Sequence, residues 1–280
     1  MSSAFEKVAS TAYGVAELRA YSDIPYAAAT LRFIEEAVPL EQRITYPTTQ
    51  APQLEARQKL IDKLVTEVGG HQMLELASGL STRGLVLTTA DPTLAYVEID
   101  LAGMVHAKQE LLNQLLHGKQ PPTNLHLIAG SVLDAAVFSE ADTYLSPGPV
   151  TVINEGLLRY LTFDEKAQVA ANIKTLLQTH GGYWITPDIT LAAGLQQEAQ
   201  QAPGQQEAID TLLGQTISSN SFASVDAAKE FFEEQGYRVA IHPFSEALPQ
   251  LTSPKNLGLS EIETMAVLEH CAVFVMQLKD

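Results

Sequence analysis

The residues with most chemistry to offer are acids and small residues at the ends of short apolar runs. Met73-Leu74-Glu75-Leu76 runs into Ala77-Ser78-Gly79, and Tyr96-Val97-Glu98-Ile99 ends on Asp100, 21 residues past Gly79. Ala77, Ser78 and Gly79 carry little bulk, so a ligand can approach the main chain there. A helix opening near Ser81 would aim its free N–H groups at the same place. Glu75 closes the first run and is grouped with the ligand-binding candidates. Glu98 and Asp100 are i and i+2 of a strand and share a face. A carboxylate at a strand tip can accept from both hydroxyls of a ribose. Asp100 is at the tip; Glu98, one pleat back, reads as structural. An ordinary βα turn and a solvated strand-end acid would explain each piece singly, but their spacing points to a nucleoside pocket. With two of three fingerprint glycines missing, the turn suits S-adenosylmethionine (SAM) better than a dinucleotide.

Further candidates follow the later runs. Gly130-Ser131-Val132-Leu133-Asp134 stands where an adenine ring would lie, although a helix N-cap by Ser131 or Asp134 would need the same residues. Glu155 ends the run Val152-Ile153-Asn154. Open α/β sheets bind ligands at such ends, and a carboxylate there can pair with an ammonium group. Arg57 lies on an amphipathic helical stripe, and its guanidinium could grip a carboxylate through two parallel hydrogen bonds, or simply face solvent. Arg19, Tyr160 and Asp188 are the candidates for the acceptor side; Asp188, in Thr186-Pro187-Asp188, would otherwise belong to a turn. A hydroxyl acceptor would need a general base, for which Asp188, His242 and Tyr160 are candidates.

Several chemistries are excluded. The histidines at 71, 106, 117, 126, 180, 242 and 270 have no metal-ligand spacing, and no Cys–His cluster exists, so no metal is expected. The chain has no Gly-x-Ser-x-Gly elbow and no phosphate-binding Gly-Lys-Ser/Thr loop. With 33 acids against 17 Lys and Arg, the formal net charge is −16, which repels nucleic acid and anionic lipid. The single cysteine, Cys271, rules out an internal disulfide and suits a reducing compartment. The N-terminal residues show no basic start followed by an apolar run, and no segment is long and apolar enough to span a bilayer. A cytoplasmic location is the expectation.

The elements that must hold these residues alternate. Helical patterns cover 3–38, with a break near Ser22-Asp23-Ile24-Pro25, and 54–68, ending at Gly69-Gly70; the proline-bearing segment 39–52 reads as a loop. Strands are predicted at 72–76, 93–99, 125–129, 150–154, 183–186, 237–241 and 272–278. Helices are predicted from 81 to 89 and over 101–116, 164–179, 226–235 and 260–269. Strands separated by helices give a parallel sheet with helices on both faces. Residues 190–222 interrupt the alternation. They are Gln- and Ala-rich, but Ile209, Leu212, Leu213 and Ile217 keep helical spacing, so a helical insert is expected.

Three pieces in this order and spacing resemble the leucine carboxyl methyltransferase family: Leu74 to Gly84, Tyr96 to Leu101 with Lys108 downstream, and Asn154-Glu155-Gly156-Leu157-Leu158-Arg159-Tyr160-Leu161. The opening Thr11 to Ala20, with Ile24-Pro25-Tyr26, is similar to its bacterial branch of O-methyltransferases linked to polyketide biosynthesis. The resemblance covers roughly residues 10–188. It implies a class I SAM-dependent methyltransferase: a Rossmann-like, mostly parallel seven-stranded sheet with the last strand antiparallel. By position, it implies that Arg57 holds the SAM carboxylate, that the backbone at Ala77 and Gly79 passes the methionine part, and that Asp100 takes the ribose. Ser131 and Val132 would flank the adenine, and Glu155 would meet the amino group. Two departures stand out: the family's Gly-Ala-Gly turn is here Ala77-Ser78-Gly79, and its Asp-Leu near the adenine is Ser131-Val132.

The expected activity is methyl transfer from SAM to an oxygen, carboxylate or hydroxyl, of a small molecule. A SAM-binding regulatory module without turnover and an NAD-dependent oxidoreductase are the alternatives. An N-terminal helical cap is expected over 1–56, and the methyltransferase domain over 57–280.

Overall fold

The computed structural model describes residues 4–37, 39–40, 43–201 and 217–279. Seven strands, β1 (Gln72–Leu76), β2 (Ala95–Asp100), β3 (Leu125–Ala129), β4 (Val150–Asn154), β5 (Gly182–Thr186), β6 (Tyr237–Pro243) and β7 (Ala272–Leu278), form one sheet in the order β3-β2-β1-β4-β5-β7-β6. Strands β1 to β5 pair in parallel, and β7 runs antiparallel between β5 and β6. The order reverses between β1 and β4, where Leu76 lies beside Asn154. A crevice at such a reversal, beyond the carboxyl ends of the strands, is where open α/β sheets take their ligands.

Every residue of β1 and β4 is buried, as expected for parallel strands covered on both faces. The pleat divides them. Leu74, Leu76, Val97, Ile99 and Val152 face one core, which includes Val137 and Phe138 of α6 (Ala135–Asp142) and Val169 and Ile173 of α7 (Phe163–His180). Met73, Tyr96 and Ile153 face the other, against Leu60, Ile61 and Leu64 of α3 (Ala51–Val68) and Leu85 of α4 (Arg83–Ala90). Glu75 shares the α3 and α4 face with Met73.

Helix α3 starts three residues before the 54–68 expectation. Pro52 sits in its first turn, where the missing N–H costs nothing, so the proline opens the helix rather than excluding it. The helix therefore runs unbroken through residue 57, and Gly69 closes it in a left-handed conformation. The N-terminal pattern is two helices, α1 (Ala4–Arg19) and α2 (Ala27–Ala37). They pack Tyr13, Ala16, Phe33 and Ile34 on Leu80 and on Met104, Ala107 and Leu111 of α5 (Ala102–Leu115). Helix α6 was not anticipated. It has only eight residues, too few for a clear period, and it is nucleated by Asp134, whose side chain accepts from the Ala136 N–H at 2.9 Å.

The insert leaves the sheet after β5 as α8 (Ala192–Gln201) and returns through a 3-10 turn, Ile217–Asn220; a bridge between Leu191 and Phe222 joins its two ends. Ile209, Leu212 and Leu213 lie outside the described residues. Helices α9 (Val225–Glu234), α10 (Ser253–Leu257) and α11 (Glu261–Leu268) complete the layers. Among the described residues, no helix is long and apolar enough to cross a membrane.

Candidate active site

The first turn is built for close approach. Ala77 and Gly79 both adopt left-handed backbone, φ 51° and 54°. A Cβ added at Gly79 would meet nothing within 4 Å, so this glycine serves its conformation and the space beside it is open. Ala77 holds the same region despite its Cβ, at a cost of about 1–2 kcal/mol. Gly84 has the other use of a glycine: a Cβ there would come within 2.3 Å of Glu98 Oε1, so its absence lets α4 lie close against β2.

Asp100 ties the tips of β1 and β2 together. Its Oδ2 accepts from the Gly79 N–H at 2.7 Å and its Oδ1 from the Leu101 N–H at 2.7 Å. Burial raises its carboxyl above the ordinary aspartate range, and these two donors oppose the rise. Glu98 lies one pleat deeper and pairs with Lys108 Nζ at 2.6 Å, both side chains 1% exposed. It is a structural ion pair, as the alternation implied. The β3 turn adjoins the same tip, because the Gly130 N–H donates to the Asp100 carbonyl at 2.8 Å. Ser131 Oγ accepts from the Leu133 N–H at 3.2 Å; Val132 is buried, its carbonyl taking Asn172 Nδ2 at 3.0 Å.

At the β1–β4 reversal stands a cluster of six charged side chains. Arg57 reaches Glu155 Oε1 through both Nε and Nη2 at 2.8 Å, and Arg19 Nη2 pairs with the same oxygen. Arg83 Nη2 lies 3.3 Å from Glu155 Oε2. The rest of the Arg83 guanidinium is committed: Nε to Asp62 Oδ1 and Nη1 to Glu75 Oε1, each at 2.6 Å. Tyr96 donates its hydroxyl to Glu75 Oε2 at 2.7 Å. Burial pushes the Glu155 carboxyl up, but Arg19, Arg57 and Arg83 together override it and hold it far below the usual carboxylate range. Burial likewise opposes the charge on Arg83, and Asp62 and Glu75 more than restore it.

Most of the predicted residues converge, but Glu75, Asp188 and His242 occupy places other than those expected. Glu75 is 1% exposed with both oxygens committed, so it supports Arg83 from behind instead of facing a ligand. Arg19 meets Glu155. Asp188 is buried, and its carboxylate accepts from Asn154 Nδ2 at 2.7 Å and from the N–H groups of Gly156, Leu157 and Leu158 at 2.8, 2.7 and 3.1 Å. With four donors on it, Asp188 shapes the loop that carries Glu155. His242 lies on edge strand β6, with β7, β5 and β4 between it and β1, and bonds Glu246 at 3.2 Å. Tyr160 packs with Ile44 and Leu195, joining the Glu155 loop to α8.

Arg83 and Asp62 were not singled out from the sequence. One signal was available: a cation at the first position of a helix opposes the helix dipole and needs acids to hold it.

The sequence profile of leucine carboxyl methyltransferases matches residues 26–174, just over half of the chain. The chain belongs to the leucine carboxyl methyltransferase family. It is a methyltransferase. A Mycolicibacterium smegmatis protein assigned to the SAM-dependent methyltransferases is 25% identical over 225 residues, 75% of this chain and 70% of that one. A DUF574 family protein from Streptomyces avermitilis has the same fold, with a TM-score of 0.54 at 12% identity, covering 96% of this chain and 97% of that one. A Nostoc punctiforme protein assigned to the O-methyltransferases matches with a TM-score of 0.49 at 16% identity over 82% of this chain, which spans 58% of that protein's length.

The donor set of this leucine carboxyl methyltransferase family member fits SAM. An acid and two arginines able to face a zwitterion, a backbone turn open at Gly79 and a strand-tip carboxylate stand together at the sheet's reversal.

Proposed function

We propose that this methyltransferase moves the methyl group of SAM to an oxygen of a small-molecule acceptor, a carboxylate or a hydroxyl. The Arg57–Glu155 pair beside the Ala77–Gly79 turn is the observation that carries the reading. When bound, SAM supplies an electrophilic methyl group on a sulfonium. The chain's work is alignment. In this reading Arg57, joined by Arg19, takes the cofactor carboxylate, and Glu155 takes its ammonium. The backbone of Ala77 to Gly79 receives the methionine part, Asp100 the ribose hydroxyls, and Ser131 and Val132 the adenine. Asp188 acts on none of these directly; it holds the loop that presents Glu155.

Holding acceptor oxygen, methyl carbon and sulfur in line, with water excluded, lowers the barrier by up to about 7–11 kcal/mol in favourable cases. A carboxylate acceptor arrives already nucleophilic and needs no base. In the same reading α1, α2 and α8 form a helical cover over the acceptor, with Tyr160 at the joint between the Glu155 loop and α8. The charge of −16 favours a small acceptor over a polyanion.

Calorimetry and thermal shift test the cofactor part. SAM should bind near micromolar, about −8 kcal/mol, and stabilise the chain, whereas NAD should do neither. Absence of heat and of stabilisation at saturating SAM overturns the reading. Retained SAM binding with no methyl transfer to any member of a panel of small carboxylates and phenols would favour a regulatory module.

A further inference from the structure

Arg83 stands where a cation is least favoured. It opens α4, at the positive end of the helix dipole, and its side chain is 2% exposed. Acids from three elements compensate it: Asp62 of α3, Glu75 of β1 and Glu155 of the loop after β4. The partners of Glu155 are divided between its two oxygens. Arg83 alone takes Oε2 among the contacts of this cluster, while Arg57 and Arg19 both take Oε1.

We propose that Arg83 is a positioning residue that pins Glu155 through Oε2, leaves Oε1 as the exchangeable position, and so sets the preference of the site for a cofactor with a zwitterionic tail. The inference rests on the cofactor reading given above.

The exchange it supports is balanced in charge. Three arginines, Arg19, Arg57 and Arg83, face Asp62, Glu75 and Glu155. A zwitterion adds one charge of each sign. Its ammonium replaces Arg57 and Arg19 at Oε1, and those two turn to its carboxylate. Glu155 must stay in place and ionised while its front partners move. Asp188 holds the backbone for this, and Arg83 holds the carboxylate. Glu75 and Asp62 fix the guanidinium in turn, with the Tyr96 hydroxyl behind Glu75. Arg83 is enclosed by these acids, so it acts on the ligand through Glu155. A lysine has no planar fork for three separate acids and cannot copy the arrangement.

The test is calorimetry on the full chain, wild type and variants, with two ligands: S-adenosylhomocysteine, and methylthioadenosine, which keeps the nucleoside and lacks the amino-acid tail. Arg83→Met should weaken S-adenosylhomocysteine by about tenfold or more and methylthioadenosine by less than about twofold, because the loss falls on the paired charges alone. Arg83→Lys should recover part of the binding. Asp62→Ala, which loosens Arg83 without removing it, should show the same selective loss to a smaller degree. Should Arg83→Met fail to fold, Asp62→Ala carries the comparison. Equal weakening of both ligands, or no weakening of S-adenosylhomocysteine in either variant, overturns the inference. Wild-type protein that binds neither ligand overturns the cofactor reading itself, and the inference with it.

Discussion

Arg57 and Glu155 neutralise each other at the reversal of the sheet, with two guanidinium nitrogens 2.8 Å from one carboxylate oxygen. Each is the kind of partner that one end of an amino acid needs. The pair therefore stands in for the ligand it would receive, and keeps two partly buried charges compensated until then. Arg57→Ala and Glu155→Gln should each weaken SAM by several kcal/mol, on the order of 2–5, since a charged end of the ligand is left unpaired in a shielded site. Methylthioadenosine should be almost unaffected by either change. Paired titrations with the two ligands read this directly. A common loss for both would move these residues from the tail of the cofactor to the support of the loop.

Two acids on β2 should separate binding from stability. Asp100 is at the tip and Glu98 is sealed against Lys108. Asp100→Asn should lower SAM affinity by about 1.5–3 kcal/mol for each charged hydrogen bond lost, with a loss of Tm smaller than that of Glu98→Ala, because the amide nitrogen must face one of the two N–H groups that Asp100 accepts from. Glu98→Ala leaves the ammonium of Lys108 buried without its counter-charge and should cost about 3–5 kcal/mol of stability, with little change in affinity for the protein that remains folded. Denaturant melts and calorimetry on both variants check the ranking, and the opposite order would place the ribose on Glu98.

Strands β1, β3, β4 and β7 were legible to the residue because each is an apolar run ended by residues that stop it. Boundaries around α3 and β5 depended on where a proline or glycine falls within a turn, which differs by one position between opening an element and closing it. At the site, the strand-end acids were legible as acids but not as partners. Asp188 and Glu155 both follow a strand, yet one bonds backbone N–H groups and the other bonds arginines. That difference comes from the path of the loop after β4, fixed by Asp188 itself. Arg83 and Asp62 lie on separate helices and meet only through the packing of α3 against β5 and β7 and of α4 against β2 and β3, a relation that no local spacing encodes.

The departure from the family's first turn has its own consequence. Ala77 sits at φ 51°, where glycine carries no Cβ penalty. Ala77→Gly removes about 1–2 kcal/mol of native strain and adds about 0.4–1 kcal/mol of unfolded-state entropy. The variant should be unchanged to slightly stabilised in urea melts, with SAM affinity equal or higher, because the turn keeps its path and loses a methyl group. Destabilisation by more than about 1 kcal/mol would mean that the packing of the Ala77 methyl on the core outweighs its strain.

Lys166 supplies the pH signature of the insert. Its buried ammonium donates to the carbonyls of Leu161 and, at 2.8 Å, Asn220, and lies 4.8 Å from the Phe163 ring centre and 5.8 Å from that of Phe222. It thus ties the Tyr160 loop to the returning end of the insert. Burial pushes its pKa down to about 8, against the partial support of Glu165 and Asp188. A lysine whose native pKa is depressed is harder to protonate folded than unfolded. Between about pH 8 and its ordinary value near 10.4 the unfolded chain holds the extra proton, so this group makes stability rise with pH across that window. Below pH 8 both states are charged and the penalty is constant. Tyr96 and Tyr237 act in the opposite sense above pH 10, since burial raises both phenols, so the window to read is pH 8 to 10. Lys166→Met keeps the apolar stem among the phenylalanines and removes the titration. Urea melts at half-unit steps should show a smaller rise, or a fall, for Lys166→Met where wild type rises; parallel curves for the two proteins would show that Lys166 titrates no differently folded than unfolded.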